Sequence, residues 1–220
     1  MMSPVRSSQL SGLMPATSGI ARRSAGGFTV IELMLSLVIL AIIVALGAPA
    51  LMSFVVQGRM TSQINDLLAD VSLARNEAAS RGVRVVVCAS ANATSAAAIC
   101  STSVSDWTNG RIVFVDVDGD GQRNTVAGST ELLLKASSVL TGSSTLTVTV
   151  STSGTSVAGP PAIQFRPYGG MALAGNPTLG GSTTILSNAA FALCPNSTGV
   201  PGRLLSIAMT GRPVISKMGC

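Results

Sequence analysis

The chain of 220 residues contains no histidine, and only 10% of its residues are charged and 3% are aromatic. Histidine is the commonest side chain in general acid–base catalysis and in metal binding, so either kind of site would have to be built without its usual residue. The sequence also has no nucleophile elbow and no CxxC pair. We therefore expect neither an enzyme nor a zinc site. Because aromatic residues are scarce, the core must consist mainly of valine, isoleucine, leucine and alanine.

Acidic residues are absent after Glu131, whereas basic residues continue to the end of the chain. The net charge is +5, but three of the 14 basic residues lie before residue 28. The basic residues after Glu131 are Lys135, Arg166, Arg203, Arg212 and Lys217. The C-terminal part is therefore weakly basic, and it lacks the dense positive charge of a strong nucleic-acid-binding surface.

A long apolar run extends from Leu33 to Met52 and could span a bilayer as a helix. Glu32 stands at its opening, where a carboxylate costs about 2.5–3.5 kcal/mol unless it has a partner. If the chain were cut between Gly27 and Phe28, the new α-amine of Phe28 would lie four residues before Glu32. The amine and the carboxylate would share one helical face and could pair.

The segment before this cut carries three arginines and no acid, as expected of a cytoplasmic segment. We predict a cleaved leader at residues 1–27, a membrane-spanning helix at 28–56, an amphipathic continuation at 57–82 and a domain at 83–220. The competing interpretation is an ordinary secretory signal peptide or a plain membrane anchor. Such a peptide has a shorter apolar region, no internal glutamate and a small-residue cleavage site.

The sequence GGFTVIEL at residues 26–33 resembles the processing site of type IV pilins and of the pseudopilins of type II secretion. This resemblance implies that a prepilin peptidase cuts after Gly27, that Phe28 is N-methylated, and that Glu32 is kept for filament assembly. It also implies a single-pass bacterial inner-membrane protein with a cytoplasmic N-terminus and a periplasmic domain, which later enters a filament. The implied partners are other pilins or pseudopilins and an inner-membrane assembly platform.

The amphipathic continuation is indicated by apolar residues at helical spacing from Met60 to Ala78, followed by Gly82 as a suitable C-terminal cap. Polar residues, Asp70 among them, fall largely between the apolar positions. Short β-branched runs then predict strands at 83–88, 111–116, 132–134, 146–150, 162–166, 189–193 and 204–209. Glycine, serine, threonine and proline clusters at 141–161 and 169–184 predict exposed antiparallel strands and loops. The predicted fold class is α+β, with a long helix packed on a small antiparallel β-sheet domain.

Later segments resemble the GspH/FimT family of minor pilins and pseudopilins. The matching segments are WTNGRIVFVD at 107–116, IQFRPYG at 163–169 and TGR at 210–212. The resemblance implies a pilin-like fold and a structural subunit in filament initiation, serving either protein secretion or pilus biogenesis.

The alternative function is that of a DNA-binding minor pilin for DNA uptake. Some relatives contact phosphates through a Gly-Arg-x-Arg turn, and here Gly211 and Arg212 are present without the second arginine. Arg203 and Lys217 would have to complete the contact, and lysine offers only a point charge instead of a fork.

The four cysteines, Cys88, Cys100, Cys194 and Cys220, all follow the apolar run. They lie on the side opposite the arginine-bearing leader, where disulfides form and persist. Four cysteines allow three pairings. Proximity favours Cys88–Cys100 and Cys194–Cys220, and the second pair would hold the chain terminus in place.

One loop has the residues of a calcium site. Asp116, Asp118 and Asp120 alternate and are followed by glycine, like the opening of an EF-hand loop. However, the twelfth position is Ala127, no helix pattern flanks the loop, and Glu131 is the only later acid nearby. The other interpretation is a hairpin loop in which the aspartates cap their own backbone.

Overall fold

The computed structural model describes residues 27–103, 106–126, 128–152, 155–158, 162–174 and 186–220. The predicted leader, except for Gly27, lies outside the described residues, as do Ala127 and much of the glycine- and threonine-rich segment at 169–184. The chain divides into two compact units, residues 1–45 and 46–220, and the boundary falls inside the single long helix α1 (Val30–Arg81).

Helix α1 ends where the sequence predicts. Gly82 follows with a left-handed backbone (φ 68°), and its N–H donates to the carbonyl of Ala78 at 3.1 Å. Glycine adopts this conformation without steric cost, so it terminates the helix and turns the chain into the first strand.

The second unit contains ten described strands. They are β1 (Arg84–Ala89), β2 (Arg111–Asp116), β3 (Leu133–Ser137), β4 (Thr145–Thr152), β5 (Thr155–Ala158), β6 (Ala162–Phe165), β7 (Met171–Leu173), β8 (Asn188–Cys194), β9 (Gly202–Ala208) and β10 (Pro213–Met218). A short 3₁₀ turn, Asp106–Thr108, precedes β2. The first sheet has the order β3-β2-β1-β6-β7 and the second β10-β9-β8-β4-β5, and the pairings within both are antiparallel.

Both sheets and the second part of α1 share one apolar core. The helix contributes one face of residues at three- and four-residue spacing, namely Met60, Ile64, Leu67, Val71, Ala74 and Ala78. Trp107 lies in this core with its ring edge-to-face on Phe191, at 5.1 Å between centroids. A smaller core covers the opposite face of the first sheet, where Val86 and Phe114 pack with Ala93, Ala98 and Cys100 of the loop after β1.

The predicted α+β class, with a long helix packed on a small antiparallel β-sheet domain, is confirmed, and the β-structure consists of two sheets. Each of the seven predicted strands corresponds to an observed one. The three unpredicted strands, β5, β7 and β10, all lie at sheet edges. An edge strand pairs on one side only, and here β7 has only three residues and β10 is partly exposed, so neither produces a clear apolar pattern in the sequence.

Asp70 is also placed differently from the prediction, since it is fully buried instead of lying on the polar face. Its Oδ2 accepts from Arg111 of β2, with Nη2 at 2.8 Å and Nε at 2.9 Å. Lys135 and Ser137 of β3 contact the same carboxylate. This network fastens α1 to the first sheet through a buried charge pair.

Candidate functional site

The predicted processing site stands at the start of α1. Phe28 is 83% exposed, and Thr29 caps the helix by accepting the backbone N–H of Glu32 on its Oγ1 at 3.3 Å. Thr29 and Glu32 occupy the two positions of a capping-box sequence, T-x-x-E. This cap by Thr29 was missed in the sequence interpretation, although the T-x-x-E spacing itself signals it.

The first section of α1, residues 30–46, is exposed at every position. Its most apolar window of 18 residues has a mean hydropathy of 2.8, so α1 is long and apolar enough to cross a membrane by length and composition. A helix that is apolar on all sides is stable only when something apolar surrounds it. This section therefore needs a membrane or other helices around it.

The structure contains the two disulfides that proximity favours. Cys88 of β1 is bonded to Cys100 in the following loop, with Cα atoms 5.5 Å apart. Cys194 at the end of β8 is bonded to Cys220, with Cα atoms 5.9 Å apart. The second bond holds the chain end that follows β10 against the second sheet.

The predicted acidic loop follows β2, and the structure adds a fourth carboxylate to it. One oxygen each of Asp116, Asp118, Asp120 and Glu131 lie within 4.8 Å of one another. Asp116 and Glu131 are buried, whereas Asp118 and Asp120 are exposed. Position 131 lies outside the twelve-residue spacing of an EF-hand loop, and the chain path after Asp120 brings it back.

The three aspartates also cap their own backbone, as the alternative interpretation predicts. Asp116 Oδ1 accepts from the N–H of Gly119 at 2.7 Å, and Asp118 Oδ1 accepts from the N–H of Asp120 at 3.1 Å. Asp120 Oδ1 accepts from the N–H of Gln122 at 2.7 Å. These bonds shape the loop and use one oxygen of each aspartate.

The pKa values in this cluster are shifted in both directions. Burial raises the pKa of Asp116, and the charges of Asp118 and Asp120 add to the increase. Burial likewise raises the pKa of Glu131, with smaller contributions from the charges of Asp118 and Asp116. The pKa of exposed Asp118 is lowered, chiefly by the backbone N–H of Asp120. The raised pKa values mean that the two buried acids lose their protons less readily than carboxylic acids in water.

The three residues predicted to contact DNA do not form one cluster. Arg203 and Lys217 face each other across β9 and β10, and Arg203 Nη2 donates to Thr61 Oγ1 of α1 at 3.1 Å. Arg212 lies in the turn at the other end of this hairpin, five residues from Lys217, or roughly 17 Å along an extended strand. The guanidinium of Arg75 packs beside Gly211, next to Arg212, and was not among the predicted residues.

Two family models match this chain, one at its N-terminal segment and one over most of the remainder. The family model described as type II transport protein GspH matches residues 63–211, and that of the prokaryotic N-terminal methylation motif matches residues 22–48. No curated protein sequence matches the chain at a significant level.

Two crystal structures of the type IV minor pilin FimU of Pseudomonas aeruginosa are similar to this chain, each at 20% sequence identity. The one in space group P21 has a TM-score of 0.44 and covers 74% of this chain and 92% of the FimU chain. The one in space group P65 has a TM-score of 0.41 and covers 71% and 91%, respectively.

Proposed function

This chain belongs to the family of the type II transport protein GspH, and from this premise we propose that it is a minor pilin or pseudopilin. In this role it is a non-catalytic subunit that takes part in starting a filament together with other subunits of the same class. The filament is the pseudopilus of a type II secretion system or a type IV pilus.

The observation that carries the proposal is the exposed apolar section of α1, directly after Phe28 and with Glu32 in its first turn. Before assembly, a membrane would surround this section, and afterwards the corresponding helices of neighbouring subunits would. Between Met60 and Ala78, one face of α1 packs on the subunit's own domain. A subunit of this construction can be stored in a membrane and then transferred into a helical bundle without unfolding its domain.

We propose the same processing and location that the motif implies. A prepilin peptidase removes residues 1–27, and the new amine of Phe28 is methylated. The helix spans the inner membrane at residues 28–56 and continues at 57–82, with the domain at 83–220 in the periplasm. The two disulfides support this location, because the cysteines of the described residues are all paired and such bonds persist in oxidising compartments.

Glu32 is proposed to pair with the N-terminal amine of a subunit during assembly. Among the described residues, the ion pairs do not include Glu32. A carboxylate in an apolar environment needs such a partner. The capping role with Thr29 is a competing explanation for the same residue, so the experiment must separate charge from capping.

Substitution of Glu32 in the full-length chain, expressed with a prepilin peptidase and a filament assembly system, makes this separation. Glutamine keeps the hydrogen-bonding side chain of a capping box and removes the charge, whereas alanine removes both. We expect Glu32→Gln and Glu32→Ala to be processed normally and both to be depleted from sheared filaments. Asp66→Asn, at an exposed acid farther along α1, should assemble normally. Normal assembly of Glu32→Gln would show that only capping matters and would contradict the proposed pairing.

Processing itself is tested by Gly27→Val, which should leave the leader attached and give a slower band on a denaturing gel. Mature protein of normal size would refute the cleavage site.

Deleting the gene in its native host separates the two filament classes. Loss of secreted proteins from the medium would assign the subunit to a pseudopilus, and loss of surface pili would assign it to a pilus.

The DNA-binding alternative has less support from the geometry, since Arg212 is far along the hairpin from Arg203 and Lys217. Three phosphate contacts would give a log–log salt slope of only about −2.7 for duplex DNA, and weak binding by one subunit. Submicromolar, salt-sensitive binding that disappears in Arg212→Ala would reverse this preference.

A further inference from the structure

Four carboxylates from two parts of the chain meet at one end of the first sheet. Asp116 ends β2, Asp118 and Asp120 lie in the turn after it, and Glu131 lies two residues before β3. One oxygen of each lies within 4.8 Å of the others. Two oxygens bound to the same calcium ion at about 2.4 Å are at most about 4.8 Å apart. The spacing of the four oxygens is therefore compatible with ligation of a single ion.

The guanidinium of Arg84 packs against Gly119 beside this cluster, but among the described residues it forms no ion pair with any of the four acids. The ion pairs there join Asp70 to Arg111 and Lys135, and Glu77 to Arg81. None of them involves the four acids at the end of the first sheet. Four like charges in such proximity, two of them on buried side chains, repel one another unless a cation lies between them.

Glu131 gives the clearest indication of a missing ligand. Its side chain is only 7% exposed, and its Oε2 accepts the backbone N–H of Asn124. The backbone N–H of Val117 also favours the ionised carboxyl, but no donor lies in hydrogen-bonding geometry with Oε1, which is fully buried. A buried carboxylate oxygen without a donor is costly and rare. A cation at the centre of the cluster would supply the missing interaction.

A second buried oxygen without a partner lies beside the cluster. Gln164 of β6 is buried, and its Nε2 donates to Asp116 Oδ2 at 2.8 Å while its Oε1 has no donor. A hydrogen bond from a neighbouring strand is the kind of support that orients a metal ligand. The self-capping interpretation accounts for the backbone bonds of the aspartates, but it assigns no role to Glu131 Oε1 or to Gln164 Oε1.

The chemistry of the donors selects the ion. The side chains are carboxylates, which suit hard cations, and the four cysteines are held in disulfides. Calcium accepts six to eight oxygens in irregular arrangements, whereas magnesium requires a near-octahedral shell at about 2.1 Å. We propose that Asp116, Asp118, Asp120 and Glu131 bind one calcium ion, with backbone oxygens or water completing its shell.

The ion would join the two ends of the loop at 117–132 and hold it against the outer face of the first sheet. There the loop meets the segment closed by the Cys88–Cys100 disulfide, since Arg123 Nη1 donates to the carbonyl of Ala98 at 2.7 Å. Calcium would therefore stabilise this face of the domain. The site stands independently of the proposed filament role.

Calcium-dependent thermal unfolding of the full-length protein in detergent tests the proposal. Trp107 is the only tryptophan and is fully buried, so its fluorescence reports unfolding of the domain. The midpoint is compared in EGTA, in calcium titrated to about 10 mM, and in magnesium at the same concentrations. Calcium at about 100 times its Kd should raise the midpoint by roughly 5–10 °C for a chain of this size. Magnesium should give a clearly smaller shift.

The variant Glu131→Gln separates ion binding from a merely structural role. Without its charge the calcium-dependent shift should disappear, while the midpoint in EGTA should be unchanged or higher because repulsion is reduced. A structural role alone would lower the midpoint with and without calcium. Asp66→Asn makes the same chemical change at an exposed position of α1 and should keep the full shift.

Calorimetric titration of the wild-type protein gives a second measurement, with one calcium ion per chain expected. The proposal would be overturned by a wild-type midpoint that does not respond to calcium, by an equal response to magnesium, or by a full calcium response in Glu131→Gln. Absence of a binding isotherm for the wild type would overturn it even if the variant failed to fold.

Discussion

The two sections of α1 share one backbone conformation and have opposite surroundings. Residues 30–46 are exposed at every position, whereas between Met60 and Ala78 one helical face is fully buried in the domain core. The first section is apolar on all sides and carries a single charge, and the second alternates apolar and polar residues at the helical period. The chain thus buries one face of the packed section in its own domain, whereas none of the described residues covers the first section.

The acids of the two sections differ in the same way. Asp70 in the packed section pairs with Arg111 and Lys135 of its own chain. Glu32 in the exposed section has no ion pair among the described residues. A buried charge must be compensated, so the pairing of Asp70 stabilises the domain, whereas the partner of Glu32 that we propose is the N-terminal amine of a subunit.

The largest loss of stability is expected when the buried ion pairs of Asp70 are removed. Asp70→Ala leaves Arg111 buried without its counter-charge and should cost about 3–5 kcal/mol of the free energy of unfolding. Asp66→Ala, one turn earlier and exposed, should change it by less than about 0.5 kcal/mol. Urea unfolding followed by Trp107 fluorescence measures both values. Similar values for the two variants would contradict the distinction between a buried and a solvated acid.

A matched pair of leucines compares the two sections directly. Leu67 is 1% exposed and Leu40 is 56% exposed. Leu67→Ala should cost about 2–5 kcal/mol because it leaves a cavity in the core. Leu40→Ala should alter domain unfolding by less than about 0.5 kcal/mol, since this section adds nothing to the core. Equal costs, measured by the same urea unfolding, would show that the exposed section also stabilises the domain.

Removal of a disulfide should destabilise the domain without affecting the exposed N-terminal section of α1. Peptide mapping under non-reducing conditions should find Cys88 linked to Cys100 and Cys194 linked to Cys220. Replacing both cysteines of one pair with alanine should cost about 2–4 kcal/mol, with the larger entropic cost for the longer loop of 26 residues. Leader processing should proceed normally, because it requires only the exposed N-terminal motif. Cross-linked peptides between the two pairs would refute this connectivity.

The fold was predictable where a pattern is local. Helix α1, its end at Gly82 and the central strands could be read from periodicity and from glycine, because each depends on neighbouring residues. The edge strands could not be read in this way. β10 begins with Pro213 and is only partly buried, and its place in the sheet follows from pairing with β9.

The sequence by itself determined the exposed apolar helix, the motif at Gly27, Phe28 and Glu32, and the aspartates of the acidic loop. Each of these features consists of residues that lie close together in the sequence, so composition and spacing are enough to identify it. Tertiary structure decided the burial of Asp70 beside Arg111, 41 positions away, and the return of Glu131 to the acidic loop. Contacts between distant residues depend on the path of the chain, which is set by how two sheets bury one helix, and no local pattern records that path.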